Sequence, residues 1–419
     1  MLCVFFVCIL SAMYVAVRHL CYNKRKVCMR YIIMAELRLF SRNFIGCCAA
    51  SFFYFGAFYL FMPVLPLFVE GLGGMATEIG LAVGIFTLLS VLVRPYSGKL
   101  GDRYGLKRFM MLGAGLFALF FLGYYWITDL TVLYVLRVLH GIAHGIFLAA
   151  VFAYVGSLPP PNRRGEVMGV FGVANVVAMA IFPAVGTYMV SLLGGFDELF
   201  SLAAVMDCVA MAALVAVDEK RIGVKAAQGV SLGKVMRLRP VWLAFVTYTA
   251  AATAYGAIVT FLPVYAVDIG IHEFGQFFVV YAAFTLVSRL VAGRLSDKFG
   301  RYAVIVPFLG MVGASMVLFA MMSSLTMLWV SAALFGLGFG AFMPALNAYI
   351  IDETAPFERS SALAIFSSAM DVGITAGAVV LGVISEVTGY AVMYGISAVL
   401  AFGAMALFGF LGRKRAQIG

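Results

Sequence analysis

The sequence predicts an all-α membrane protein with twelve transmembrane helices in two pseudo-symmetric six-helix halves. Hydrophobic residues occupy 64% of the 419 positions, and the mean hydropathy of +1.05 is far above that of a soluble domain. Apolar runs of about 20 residues recur along the chain, which is typical of spanning helices rather than barrel strands. A set of landmarks also repeats at an offset of 195 residues.

Twelve apolar segments follow one another along the chain. The first six cover approximately residues 44–69, 79–98, 109–128, 131–157, 166–190 and 198–217. The second six cover approximately residues 241–267, 274–293, 303–323, 326–351, 361–386 and 390–411. The predicted domains are therefore an N-terminal extension at 1–40, six-helix halves at 41–217 and 241–412, a central loop at 218–240 and a tail at 413–419.

The N-terminal extension contains another apolar run at residues 2–17, with a basic stretch after it. A cleaved signal peptide would carry its positive charge before the apolar run and end in small residues, and neither feature is evident. A thirteenth spanning helix that places Met1 outside is one alternative. We favour a start of translation at Met34.

The basic residues predict the orientation of the helices. Except for Arg94, Arg137 and Arg289, every Lys and Arg lies before the first helix, in an alternate loop or in the tail, all on one side of the membrane. The positive-inside rule makes that side cytoplasmic, so both ends of the twelve-helix body are predicted to lie in the cytoplasm. The predicted location is the plasma (inner) membrane, which the chain crosses many times. The net charge of +10 is then a topology signal, and no nucleic-acid partner is expected.

A polar motif occurs once in each half. GKLGDRYGLKR, from Gly98 to Arg108, is echoed by GRLSDKFGR, from Gly293 to Arg301. Two homologous halves in the same orientation are the simplest origin of such a repeat. The pairs that share the offset are Arg94 and Arg289, Gly98 and Gly293, Asp102 and Asp297, Gly105 and Gly300, Gly141 and Gly336, and Gly145 and Gly340.

These motifs resemble signatures of the major facilitator superfamily. The first copy, Gly98 to Arg108, is similar to the loop 2–3 signature of that family, and the second copy, Gly293 to Arg301, is similar to the weaker repeat of that signature. RVLHG at 137–141 resembles the helix 4 signature of the family. PNRRGEVMGVFG, followed by AIFPAVG, resembles its loop 4–5 and helix 5 region. The resemblance covers about residues 40–412 and implies a transporter with alternating access. No enzyme motif or metal spacing is evident, so no catalytic residue, cofactor or metal is expected.

The repeated motif is predicted to form a cytoplasmic gate. Alternating access needs bonds that form in one conformation and break in the other. Glycines permit close helix approach, aspartates accept from helix N-terminal amides, and basic residues pair across the halves. The alternative is a solvated basic loop. The predicted gate residues are Arg94, Gly98, Asp102, Arg103, Gly105, Arg108, Arg289, Gly293, Asp297, Gly300 and Arg301.

Charges inside the membrane are costly and therefore mark candidate sites. Arg137, His140 and His144 share one face of predicted helix 4, which borders the central cavity in the resembled family, so we expect them to handle substrate or protons. Asp371 in helix 11 is the best acidic candidate, and Asp207 in helix 6 ranks lower because that helix is usually peripheral. The alternative for these residues is structural: hydrogen bonding to carbonyls or neighbouring hydroxyls, and packing.

The direction of transport is predicted from helix 5. Pro183 and Gly186 partly match the Gly-Pro pattern of export-type members of the family, where a kink in helix 5 shapes the interface with the other half. The main hypothesis is proton-coupled efflux of a small organic molecule by a monomer in the lipid bilayer, with protons as the second partner. The alternatives are proton-coupled or facilitated uptake of a metabolite and, more remotely, a receptor of this fold without transport.

Overall fold

The computed structural model describes residues 41–158, 164–219, 232–355 and 358–412. These ranges contain twelve long helices, two short helices (Leu65–Gly71 and Leu232–Met236), one 3-10 turn and no β-strand, so the all-α prediction is confirmed. The predicted N-terminal extension, most of the central loop and the tail lie outside the described residues. The long helices are α1 (Arg42–Phe61), α2 (Ala76–Tyr104), α3 (Leu106–Gly123), α4 (Leu130–Gly156), α5 (Arg164–Leu193), α6 (Asp197–Val215), α7 (Arg239–Asp268), α8 (Gln276–Phe299), α9 (Arg301–Ala320), α10 (Leu325–Glu353), α11 (Arg359–Thr388) and α12 (Tyr390–Leu411).

Most of the long helices could cross a membrane. Within the described ranges, 11 spans combine sufficient length and apolarity, the first formed by α1 together with the short helix that follows it. In α8 the apolar part found among the described residues is Gln276–Arg289, which is shorter than the other spans. Large apolar side chains such as Trp126 and Phe410 are exposed, as expected for helices whose surface faces lipid.

Polar side chains define the starts of several helices. The Ser41 hydroxyl accepts a hydrogen bond from the Phe44 amide at the start of α1. Asp129 accepts from the amides of Thr131 and Val132, at 2.8 and 3.0 Å, at the start of α4. These bonds, with the Val132 amide contributing most, lower the pKa of Asp129 below its ordinary value.

The repeated polar motif is helical rather than a loop. α2 continues to Tyr104 and α8 to Phe299, because the Leu, Lys and Arg residues of the motif favour helix even though hydropathy falls there. One glycine then connects each helix to the next. Gly105 has φ 116° and Gly300 has φ 88°, conformations that glycine adopts without the steric cost of a Cβ. The connections 2–3 and 8–9, predicted as longer loops, are therefore one residue each in the structure.

The internal repeat is present as repeated packing. A Cβ added at Gly141 of α4 would lie 2.5 Å from the carbonyl oxygen of Phe86 on α2. A Cβ added at Gly336 of α10 would lie 2.6 Å from the carbonyl oxygen of Tyr281 on α8. Phe86 and Tyr281 are themselves 195 positions apart. The α2–α4 and α8–α10 pairs are therefore equivalent, and the prediction of two pseudo-symmetric halves is confirmed.

The halves meet mainly where α2 packs on α11. We call the end of the bundle where α2 begins and α11 ends the closed end, and the opposite end the open end. Near the closed end, the Thr77 amide donates to the Glu386 carboxylate at 3.1 Å. Gly80 lies so near Ala378 that an added Cβ would be 3.0 Å from its carbonyl carbon. The two halves are thus in backbone contact at the closed end.

Candidate functional site

An ion pair joins the two halves midway along α2 and α11. Nη1 of Arg94 donates to Oδ2 of Asp371 at 2.7 Å, and Nη2 donates to Oδ1 at 3.2 Å. Nη2 also contacts the Ser90 hydroxyl at 3.3 Å. The two side chains are 30% and 17% exposed, so solvent reaches the pair from one direction. Bidentate contacts of this kind are among the stronger charge-assisted hydrogen bonds.

The halves separate beyond this pair. Gly98 lies one turn from Arg94 toward the open end, and a Cβ placed there would meet no atom within 4 Å. Ser367 lies one turn from Asp371 in the same direction and is exposed. Since residues four apart share a helix face, both positions face the opposite half across open space. The ion pair therefore lies at the inner limit of a space that begins at the open end.

Arg137 lies inside the N-terminal half, where it is 2% exposed. Its Nε donates to the Ala82 carbonyl of α2 at 2.8 Å, and its guanidinium lies 4.3 Å from the centre of the Phe86 ring. Its Nη1 is 3.4 Å from the Tyr124 hydroxyl. These contacts hold α4 against α2, as in the structural alternative stated for this residue.

The two histidines of α4 are also buried in that half. Nδ1 of His144 is 3.0 Å from the Tyr54 hydroxyl, and Nδ1 of His140 is 3.3 Å from the Tyr124 hydroxyl. The His144 ring also stacks on Phe58 of α1, at 5.1 Å between ring centres. The three α4 residues do share one face, but that face packs within its own half.

Asp207 lies in the interior of the N-terminal half on α6. It is fully buried, and neither carboxylate oxygen has a hydrogen-bond partner among the described residues. α6 packs on α1 and α3, away from α11 and Asp371. The structure therefore separates the two predicted acidic residues.

The gate residue Arg108 and its neighbour Lys107 contact Glu219, in the segment that follows α6. The Glu219 carboxylate accepts from the Lys107 amide at 3.1 Å and lies 3.7 Å from Nε of Arg108. Arg103 stacks over the neighbouring Tyr104 ring at 5.3 Å. Asp102 makes no hydrogen bond or ion pair with any described residue in this conformation.

The second copy of the motif is also anchored within its own half. Nε of Arg301 donates to Asp352 at 2.9 Å, and its Nη1 donates to the Ser296 hydroxyl at 2.8 Å. Gly293 and Asp297 belong to α8, and the surroundings of both residues lie outside the described part of the structure. Both copies of the motif therefore tie neighbouring helices of one half together at the open end.

Pro183 and Gly186 lie in α5 on the side of α1. An added Cβ at Gly186 would overlap the backbone carbonyl of Leu60. Phe182 packs beside Gly56, with 2.7 Å between its ring and an added Cβ. Gly186 thus permits close packing of α5 on α1 within one half.

The sequence predicts Arg94 and Asp371 as members of separate sites and does not predict their pairing. The two residues are 277 positions apart and belonged to different predicted sites, the gate and the transport path. A usable signal was present, because an intramembrane charge is seldom left without a partner of opposite sign.

Comparison with known proteins agrees with the fold and the motifs. The family model described as Major Facilitator Superfamily matches residues 47–278 and 266–418. The chain belongs to the major facilitator superfamily. The resemblance inferred from the sequence is therefore confirmed, and the protein is a multi-pass membrane transporter.

Its similarity to individual members is moderate. Multidrug resistance protein MdtG of Proteus mirabilis is 26% identical over 366 residues, which cover 84% of this chain and 89% of that protein. Multi-drug resistance efflux pump PmrA of Streptococcus pneumoniae is 26% identical, with 83% and 90% covered. The crystal structure of nucleoside transporter NupG superposes with a TM-score of 0.70 at 14% identity and covers 87% of this chain and 98% of that one. These similar proteins are transporters rather than enzymes.

Proposed function

We propose that this transporter exports small organic molecules across the plasma membrane in exchange for protons. The observation that carries the proposal is the bidentate ion pair between Arg94 and Asp371, which joins the halves and borders the space at the open end. The one-sided basic residues support a cytoplasmic orientation of the open end. The described conformation is then the one that takes up substrate from the cytoplasm.

Asp371 is the proposed proton carrier. When its carboxylate takes up a proton, a charge-assisted bidentate contact with Arg94 becomes at most a neutral hydrogen bond. The closed end is then held only by packing and polar contacts such as that of Thr77 with Glu386. Release of the proton therefore stabilises the described conformation. Exchange requires Asp371 to take up its proton from outside while the closed end is open, to keep it as the halves return, and to release it to the cytoplasm, where the pair with Arg94 forms again.

The remaining predicted residues support this cycle. His144 is the second candidate for the proton, because it is an imidazole at membrane depth and contacts the Tyr54 hydroxyl. Asp207 is the third candidate, since it is buried without a partner. Asp102 is assigned to the gate that forms when the open end closes, because its carboxylate makes no hydrogen bond or ion pair with the described residues in the present conformation.

The test of coupling is proton flux in reconstituted vesicles. Cells without their own efflux pumps are first screened for protection against ethidium, chloramphenicol and nalidixic acid, and the protective compound is used in vesicles containing a pH-sensitive dye. Asp371→Asn should abolish compound-induced proton flux and leave counterflow exchange of the compound intact. Unchanged proton flux in this variant would disprove the assignment of Asp371.

Asp218→Asn is the matched control. Asp218 also pairs with an arginine at 2.7 Å, but its partner Arg42 belongs to the same half, and both side chains are more than half exposed. Loss of this pair does not free one half from the other, so proton flux should persist. Sensitisation of the cells instead of protection, with accumulation of the compound, would establish uptake as the direction of transport.

A further inference from the structure

The internal repeat contains an arginine without a counterpart to Asp371. Arg94 and Arg289 occupy equivalent positions of α2 and α8, 195 residues apart. The same offset places Val176 of α5 where Asp371 lies in α11. Among the described residues, no carboxylate lies within ion-pair distance of Arg289, and its buried Nε has no hydrogen-bond partner. The equivalent contact between the halves thus keeps the cation, on α8 of the second half, and lacks the anion, on α5 of the first half.

Arg289 lies on α8, two turns after Tyr281, whose ring is 6.0 Å from that of Tyr255 on α7. The Tyr59 hydroxyl donates to Oδ1 of Asn175 at 2.8 Å. Arg289, Tyr59 and Asn175 all remain partly exposed, so a molecule entering between the halves can contact them.

Aromatic rings continue from this polar group into the C-terminal half. Tyr255 stacks on Phe339 with 5.4 Å between ring centres and on Phe335 with 6.2 Å. The Tyr255 hydroxyl also reaches Sδ of Met179 in the other half at 3.8 Å. All three rings are buried, so they pack with one another and against α5 and do not line an open surface.

The charges of the interface favour an anion. Arg94 and Asp371 neutralise one another, which leaves the positive charge of Arg289 uncompensated among the described residues. An uncompensated guanidinium at membrane depth is costly, and its planar set of donors matches a carboxylate well. A bound carboxylate would remove that cost, whereas a cationic ligand would add to it.

We propose that Arg289 is the anchor for the carboxylate of a transported organic acid. The inference rests on the proposed function, because it places the substrate between the halves. It adds the chemical class of the substrate and the side chain that selects it.

The test measures equilibrium binding of 2-naphthoate and of the neutral analogue 2-naphthylmethanol to the purified full-length protein. The native protein should bind naphthoate at least about tenfold more tightly, because a charged hydrogen-bonding pair is present only with the acid. Arg289→Gln should weaken naphthoate binding by about tenfold or more and change naphthylmethanol binding less than about twofold. Arg289→Lys should keep part of the preference, since it retains the charge without the planar donors.

Arg42→Gln controls for net charge, because it removes one positive charge from an exposed site. This variant should bind naphthoate as the native protein does. The anion site is overturned if the native protein shows no preference for naphthoate, or if Arg289→Gln binds it normally. Because binding is measured without flux, that result leaves the exporter proposal standing, whereas normal proton flux in Asp371→Asn overturns the proton step alone. Unchanged naphthylmethanol binding also shows that Arg289→Gln is folded.

Discussion

Replacing Gly80 with alanine should shift the transporter away from the conformation described above. The added Cβ would overlap the carbonyl oxygen of Ala378 and lie 3.0 Å from the carbonyl carbon, and both atoms belong to the backbone of α11 in the other half. A flexible side chain could rotate away from such a clash, but backbone cannot. Relief therefore requires α2 and α11 to move apart at the closed end.

The size of the shift follows from the cost of overpacking. Forcing an extra methyl group into a close-packed contact costs about 1–3 kcal/mol. Only the conformation with the closed end shut bears this cost, so the population open at that end should rise by about 5- to 150-fold. Gly141→Ala is the matched control. Its Cβ would lie 2.5 Å from the Phe86 carbonyl oxygen within one half, so both conformations bear the strain equally.

Cysteine labelling measures this population. In a cysteine-free protein, Thr375→Cys places a thiol on α11 between Asp371 and the closed end. A membrane-impermeant maleimide applied at the closed end should react at a rate proportional to the population open there. We expect the rate to rise by about 5- to 150-fold with Gly80→Ala and to stay the same with Gly141→Ala. Equal rates in the two variants would refute the argument.

Four further predictions concern topology, gating, charge and pH. A cysteine at Gly195 should be labelled from outside intact cells and one at Gln228 should not, and labelling at Gln228 would contradict the orientation. Asp102→Asn should slow turnover without weakening equilibrium substrate binding, and an equal loss of both would exclude a gating role. Arg137→Lys should lower transport at every pH from about 5.5 to 8.5 without moving the midpoint, because a guanidinium keeps its proton throughout this range. The lowered pKa of Asp129 means that its cap stabilises α4 fully above the ordinary aspartate pKa of about 3.9 and that this stabilisation is lost as the pH falls from there through the lowered pKa. The protection of first-turn amides of α4 from hydrogen exchange, relative to their intrinsic rates, should fall over that range.

Hydropathy predicts the number and order of the long helices because lipid demands apolar surface along each span. It places the helix ends less well. α2 extends to Tyr104 because the polar motif leaves the membrane without leaving the helix, and the chain turns only at Gly105. Hydropathy falls where a helix passes from lipid into water. Helix propensity and the conformation of a glycine determine where the helix itself ends.

Periodicity predicts the shared face of Arg137, His140 and His144 but not what that face contacts. The neighbours of α4 depend on the packing of α2 and α3, which one helix's spacing does not encode. The pairing of Arg94 with Asp371 is a long-range contact of the same kind. Each charge is visible in the sequence, while the distance between them is a property of the assembled halves.

The packing of α2 gives it the mechanics of a lever. Its contact with α11 at Gly80 lies near one end, and the 24 residues from there to Tyr104 span about 36 Å of helix. A tilt of about 10° around that contact would sweep the far end through about 6 Å, enough to admit or exclude a small molecule. Only Gly105 separates α2 from α3, so α3 moves with the end of α2. A small displacement of α2 at the closed end thereby becomes a displacement of several ångströms at the open end, where a small molecule enters.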